Sequence, residues 1–303
     1  MRPIEGKLFS PFQKTIYRPK PSEGGFFGFT MEPRLTWERM DATVNRVRAS
    51  EGFPVKSFRE LIDEVAHVTL SNKNYEMYYR GQTKDYKSNQ AAYYQDRVPK
   101  SIIYPSICRP ERKSDGTLKH SIKQTQVQKR YDDLANMVAL VTKKKKHFFN
   151  EHYYSLFQHY DILPTPFIDI TQSLRVAATF ALNNSETGYV YVFGLPYPSQ
   201  SISYFVDLGM VLIKLQNVVP VNALRPRYQE GYLVGKYPVL PTKSNDDNLA
   251  NRMVAKFFVD NTNGDFWDEY FLPMPNELLY PPLDEIEKEL MHAKKLFNQK
   301  YYR

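Results

Sequence analysis

The chain has 303 residues, 42% of them hydrophobic and 24% charged, which is enough for a packed core and too apolar for wholesale disorder. Its single cysteine, Cys108, excludes an intrachain disulfide and a cysteine-based zinc site. The formal net charge is +8, and the stretch from Arg109 to Asn150 holds eleven Lys or Arg against four Asp or Glu, a net of +7.

That stretch includes "KKKK" at 143–146. It reads either as a solvated helix face with a basic turn or as an electrostatic footprint for an anionic partner, a nucleic acid or a phosphorylated small molecule. No apolar run approaches the roughly 18 residues that span a bilayer. The N-terminal "MRPIEGKLFSPFQKTIYRPKP" lacks the apolar core of a signal peptide. A soluble, cytoplasmic protein with no membrane partner is expected.

In chain order, the first 35 residues carry Pro and Gly punctuation ("RPKPSEGGFFGF") and predict irregular packed coil. A helix is predicted from Trp37 to about Ser50, with Gly52 as its stop signal. "SFRE" at 57–60 is a capping box, and the helix it opens puts Phe58, Leu61, Ile62 and Val65 on one face. "YEMYYRGQTKDY" (75–86) predicts a strand ending at Gly81. Residues 118–149 are predicted mainly helical, and a second helix runs through "NEHYYSLFQHY" at 150–160. After a strand ending near Thr171, Ser173–Leu182 is a short helix with Leu174, Ala177, Ala178 and Ala181 at helical spacing. Strands are predicted at 188–196, 209–215, 229–235 and 253–259. The closing "PPLDEIEKELMHAKKLFNQK" predicts a helix, with acids in its first turn and lysines toward its end. This order predicts an α+β fold: a mixed, mostly antiparallel or split β-sheet flanked by helices. The expected organisation is an N-terminal extension with one helix over 1–56, a main domain over 57–240, and a C-terminal strand and helix over 241–303 that pack on the same domain.

Three constellations carry chemistry. In "YYRGQ" (78–82), Arg80 offers a guanidinium fork to anions, Gly81 lets a ligand approach the backbone, and Gln82 adds an amide. Equally, Arg80 could pair with a core carboxylate such as Asp169. In "IDITQSLRVAATFA" (168–181), one of Asp169, Thr171 and Ser173 suffices to cap the helix, but a helix N-terminus also attracts phosphate. Arg175 stands against the helix dipole, so it requires Asp169 or a bound anion as partner. In "ALRPRYQEGYLVG" (223–235), Glu230 reads as a general base beside an oxocarbenium-like centre or as an exposed loop carboxylate. No dinucleotide fingerprint, phosphate loop, nucleophile elbow or HExxH motif is present. His152 and His159, seven apart, share one helical face and suggest packing rather than metal ligation, with His159 beside the 161–169 loop. No metal is expected.

Taken together, Tyr79-Arg80-Gly81, His159-Tyr160 with Pro164-Thr165 and Asp169-Ile170-Thr171, Phe180-Ala181, "PSICRP" and "RPRYQEG" resemble the ordered motifs of the FRG domain over roughly residues 70–235. The usual glycine after His-Tyr is replaced by Asp161-Ile162, and the usual Ser-Pro before the helix is Ser173-Leu174. These motifs in turn resemble the Arg–Ser–Glu scheme of ADP-ribosyltransferases, and such domains occur in toxin and phage-defence settings. The resemblance implies an ADP-ribosyltransferase-like fold and an NAD-using ADP-ribosyltransferase or NAD glycohydrolase. NAD would be the substrate, with a nucleic acid or a protein as acceptor, met through the basic 109–150 stretch. By position, Arg80 would hold the pyrophosphate or nicotinamide ribose. Thr171 and Ser173 would line the nicotinamide pocket. Gln229 or Glu230 would take the place of the glutamate, completing a catalytic set of Arg80, Thr171, Gln229 and Glu230. Gly81, Gln82, His159, Asp169, Ser173 and Arg175 would bind the ligand. Two other readings use the same residues: a non-catalytic nucleotide-sensing module, and a nucleic-acid-binding protein that works through the basic stretch.

Overall fold

The computed structural model describes residues 1–4, 8–11, 40–88, 98–108, 124–143, 145, 149–236, 241, 244–282 and 284–301. Near the N-terminus β1 (Leu8–Ser10) pairs antiparallel with β2 (Met40–Ala42), and α1 (Val44–Ala49) follows at once. The helix expected from Trp37 thus starts at Val44, where the Thr43 side chain accepts the Arg46 N–H and caps it. After β3 (Phe53–Val55), α2 (Phe58–Ser71) buries Phe58, Leu61, Val65 and Val68. The Ser57 hydroxyl accepts the Glu60 N–H at 3.1 Å. The Glu60 carboxylate reaches the Lys56 N–H at 2.8 Å, one residue beyond the reciprocal contact of a capping box.

The chain continues through β4 (Glu76–Gln82), α3 (Gln124–Thr142), α4 (Asn150–His159), β5 (Phe167–Thr171), α5 (Leu174–Ala181) and β6 (Thr187–Leu195). Next come β7 (Ile202–Phe205), β8 (Met210–Lys214), α6 (Leu215–Val218), α7 (Leu224–Tyr228) and β9 (Gly231–Gly235). The last elements are β10 (Met253–Asp260), α8 (Asn276–Leu279) and α9 (Glu285–Tyr301). The strand expected from Gln229 begins at Gly231, because the preceding "LRPRY" forms α7. Much of the basic stretch, 109–123, 144 and 146–148, lies outside the described residues.

The fold is α+β. Eight strands form one sheet in the order β3-β10-β6-β4-β5-β9-β8-β7, with β3 parallel to β10 and every other pair antiparallel. Strand β4 pairs with β6 from Glu76↔Leu195 to Gln82↔Tyr189, but it meets β5 through one pair, Tyr79↔Thr171. The sheet therefore has a seam between β4 and β5. Alternation along the strands assigns the faces. Phe167 joins a core with α3, α4 and α9, while Ile168 and Ile170 turn to the other face. On β6, Val190 and Val192 join a second core with α2 and α5, while Tyr191 and Phe193 turn away. One face thus carries two helical cores, one on each side of the seam. The opposite face packs against Met1, Ile103 and the Leu249–Ala250 segment.

Among the described residues, no helix is long and apolar enough to cross a membrane, and no group of three or more His, Cys, Asp or Glu is placed to hold a metal ion.

Candidate functional site

Above the seam, where α4 ends and α5 begins, a cleft of about 230 Å³ opens between the two helical cores. Among the residues expected in the site, Arg80, Gly81, His159, Asp169, Thr171 and Gln229 line it. Gln82, Ser173, Arg175 and Glu230 do not.

The Arg80 guanidinium spans the seam and donates to the main-chain carbonyl of Asp169 at 2.5 Å. It therefore meets Asp169 through the backbone, leaving the carboxylate to other partners. Oδ2 of Asp169 accepts from Gln158 Nε2 at 2.6 Å, and Oδ1 lies 3.3 Å from His159 Nδ1. The Gln158 amide is itself oriented: its oxygen accepts the Thr165 hydroxyl and, at 3.2 Å, that of Ser106. That leaves its NH2 to face the carboxylate. Burial works to raise the Asp169 carboxyl pKa, but the hydrogen bond and charge of His159, the charge of Arg80 and the Gln158 amide outweigh it, holding the group below its ordinary value. The His159 side chain is 3% exposed and that of Asp169 36%, so the carboxylate is the member of the pair that the cleft can reach.

Thr171 ties the middle motif to the late one. Its hydroxyl lies 2.8 Å from the Gln229 carbonyl and 3.2 Å from that of Glu230, and it accepts the Ser173 N–H at 3.0 Å. Ser173 caps α5, its side chain accepting the Val176 N–H at 3.5 Å. The Arg175 guanidinium turns outward to the carbonyls of Leu272 (2.6 Å) and Pro273 (3.1 Å), so its partner is neither Asp169 nor the cleft. Gln229 donates its amide to the Leu279 carbonyl at 2.7 Å. Glu230 is exposed with φ +46°, at a left-handed turn ahead of β9.

Gly81 has a second role besides lining the cleft. A Cβ on it would fall 1.8 Å from the Ala177 carbonyl oxygen and 2.6 Å from the Ala181 nitrogen, so the glycine lets α5 lie directly on β4. Gly188 on β6 does the same, with the Ala181 oxygen 2.0 Å away. The small residues of α5 and these two glycines set the close helix–sheet contact that forms one wall.

Gln158, Asp161 and Arg225 also line the cleft and were not assigned to it from the sequence. Gln158 stands one residue before the His-Tyr motif, and only that position marks it. Arg225 belongs to the late motif and lines the cleft, with its guanidinium 4.8 Å from the Tyr280 ring centroid and 5.7 Å from that of Tyr160. Residues on both sides of Tyr280 contact α5, the end of α4 and the start of α7. Met274 N–H donates to Thr179 Oγ1 at 3.0 Å, and the Asp284 carboxylate accepts from the Tyr160 hydroxyl and from the Arg225 N–H at 3.3 Å.

Residues 75–189 match the family model of the FRG domain. That span of the FRG domain runs from β4 through α5 and supplies Arg80, Gln158, His159, Asp169 and Thr171, while Arg225 and Gln229 lie beyond it. Neither a curated protein nor a solved structure gives a significant match to the chain.

Proposed function

We propose that the cleft binds the reacting half of NAD and that the protein is an NAD-consuming enzyme, an ADP-ribosyltransferase or NAD glycohydrolase with an ADP-ribosyltransferase-like site. One observation carries the reading. The cleft presents cationic Arg80 and Arg225 together with the Asp169 carboxylate. That combination suits a ligand with an anionic pyrophosphate beside a ribose that develops positive charge as nicotinamide leaves. The cleft is smaller than the roughly 300–1,000 Å³ that enclose a whole drug-sized ligand, so the adenosine end lies on the open surface. Toxin and phage-defence action, with a nucleic acid or protein acceptor, belongs to the same proposal.

The test is release of nicotinamide from NAD by the purified chain, with and without nucleic-acid and protein acceptors. Turnover is expected from the native protein, with a loss of about a hundredfold or more in Arg80→Ala. Absence of release under every condition removes the enzyme reading. The second reading is a nucleotide-binding module without turnover. It is favoured by the Gln229 amide being engaged with Leu279 and by Glu230 standing outside the cleft. Saturable ADP-ribose binding without nicotinamide release is the outcome that selects it.

A further inference from the structure

We propose that Asp169 is the catalytic carboxylate of this cleft: it faces the positive charge at the reacting ribose and takes the proton of the incoming acceptor. The proposal rests on the NAD reading above and departs from the sequence expectation, which gave that role to position 229 or 230.

The late motif is poorly equipped for the task. A glutamine side chain cannot act as a base, and the Gln229 amide is committed to the Leu279 carbonyl. The Glu230 side chain does not line the cleft. Among the described residues, two acidic residues do, Asp161 and Asp169. Asp161 is an exposed residue at φ +51°, in the turn after α4, where its carbonyl accepts from Lys294 at 2.8 Å. It stands at the rim.

Asp169 is built in. It sits in the middle of β5, its carbonyl accepts from Arg80, and its two oxygens are oriented by Gln158 and His159. Gln158 is in turn fixed by Thr165 and Ser106. Three layers of contacts therefore point one partly exposed carboxylate into the cleft, as a preorganised charge requires. Among the described residues, the charged or titratable groups around it are Arg80 on β4, His159 on α4, and Asp161 and Arg225 among the lining residues.

The bond from ribose C1′ to the nicotinamide nitrogen breaks, and its electron pair leaves with nicotinamide. An acceptor O–H, water for the hydrolase, forms the new C1′–O bond. Its proton passes to an Asp169 oxygen and then to solvent. Gln158 and His159 are positioning residues.

The test uses the full chain and its Asp169→Asn variant, with three probes: NAD turnover, binding of ADP-ribose, and binding of an ADP-linked pyrrolidinium that carries the positive charge of the ribosyl cation. Asp169→Asn should lose nicotinamide release by about a hundredfold or more. It should bind the pyrrolidinium at least about tenfold more weakly, a larger loss than for ADP-ribose, and a native-like urea transition reports an intact fold. Gln158→Leu should move the acidic limb of the kcat/KM profile to higher pH, a change that a purely structural role would not produce. Native-like turnover in Asp169→Asn, or equal pyrrolidinium binding in both proteins, overturns the assignment. A native chain that releases no nicotinamide overturns the transfer reading alone. In that case, pyrrolidinium binding lost in Asp169→Asn still supports the carboxylate's place opposite a cation.

Discussion

Thr171 joins β5, the start of α5 and the turn ahead of β9 through a single buried hydroxyl, with contacts to Ser173, Gln229 and Glu230. Thr171→Val keeps the shape but leaves a carbonyl and an N–H without that partner. We expect it to lower stability by about 1–3 kcal/mol in urea unfolding, with Thr171→Ser near native. A change in Thr171→Val below about 0.5 kcal/mol would contradict the bridging role. Asp169 makes a different prediction. Its carboxyl lies below its ordinary value in the fold, so its ionised form favours the folded state above the unfolded pKa of about 3.9. That contribution is lost as pH falls through the folded pKa. Asp169→Asn should therefore show a shallower fall of stability below about pH 4 than the native chain. Equal slopes in urea titrations from pH 3 to 6 would remove the linkage. At this scale the sequence is legible where motif and geometry coincide, as for Arg80 and Thr171. It misplaces Arg175: the expected partner was Asp169 or a bound anion, but its acceptors stand 97 residues away at Leu272 and 98 away at Pro273.

The contact between α5 and the β4–β6 pair depends on the absence of two side chains. Because the atoms that a Cβ on Gly81 would strike belong to the helix backbone, no rotamer change relieves the overlap. Gly81→Ala and Gly188→Ala should each cost about 3 kcal/mol or more, or prevent folding. Gly209 supplies the control: its Cβ would meet nothing within 4 Å, but its φ is +56°. Alanine there should cost only about 1–2 kcal/mol. Gly81→Ala within about 1 kcal/mol of native would mean that the helix slides freely on the sheet. The legible elements carry their signal over many residues, helical spacing in α2, charge order in α9 and strand composition between breakers in β6, which run for 14, 17 and nine residues. Strand β3, three residues long, is too short to show alternation. Helix α7 was hidden by Pro226, which the first turn of a helix tolerates because its missing N–H has no partner to lose there.

The span matched by the FRG domain ends inside β6 and omits both flanking partners of its own strands. Strand β5 pairs with β9 from Phe167↔Gly235 to Thr171↔Gly231, and β6 pairs with β10 along its length. Cutting at 75 and 189 strips both edges and opens rows of unpaired N–H and C=O groups. It also removes apolar partners from both helical cores: Val211, Leu233, Leu290 and Phe297 from one, Phe53, Phe58 and Phe257 from the other. The order of elements let an α+β sheet be read from the chain. What it could not supply is that β3 and β10, far apart in sequence, lie side by side and close one end of the same sheet, because such pairing depends on tertiary packing rather than local pattern. Leu279 and Asp284 also bear on the cleft, since Leu279 holds Gln229 and Asp284 receives Tyr160 and Arg225. We therefore expect the 75–189 fragment to show no cooperative urea transition, while the full chain unfolds cooperatively. The fragment should also bind no ADP-ribose, although it contains Arg80, Asp169 and Thr171. A fragment that unfolds cooperatively and binds ADP-ribose as the full chain does would show instead that the strands and helices outside the matched span are dispensable to both fold and site.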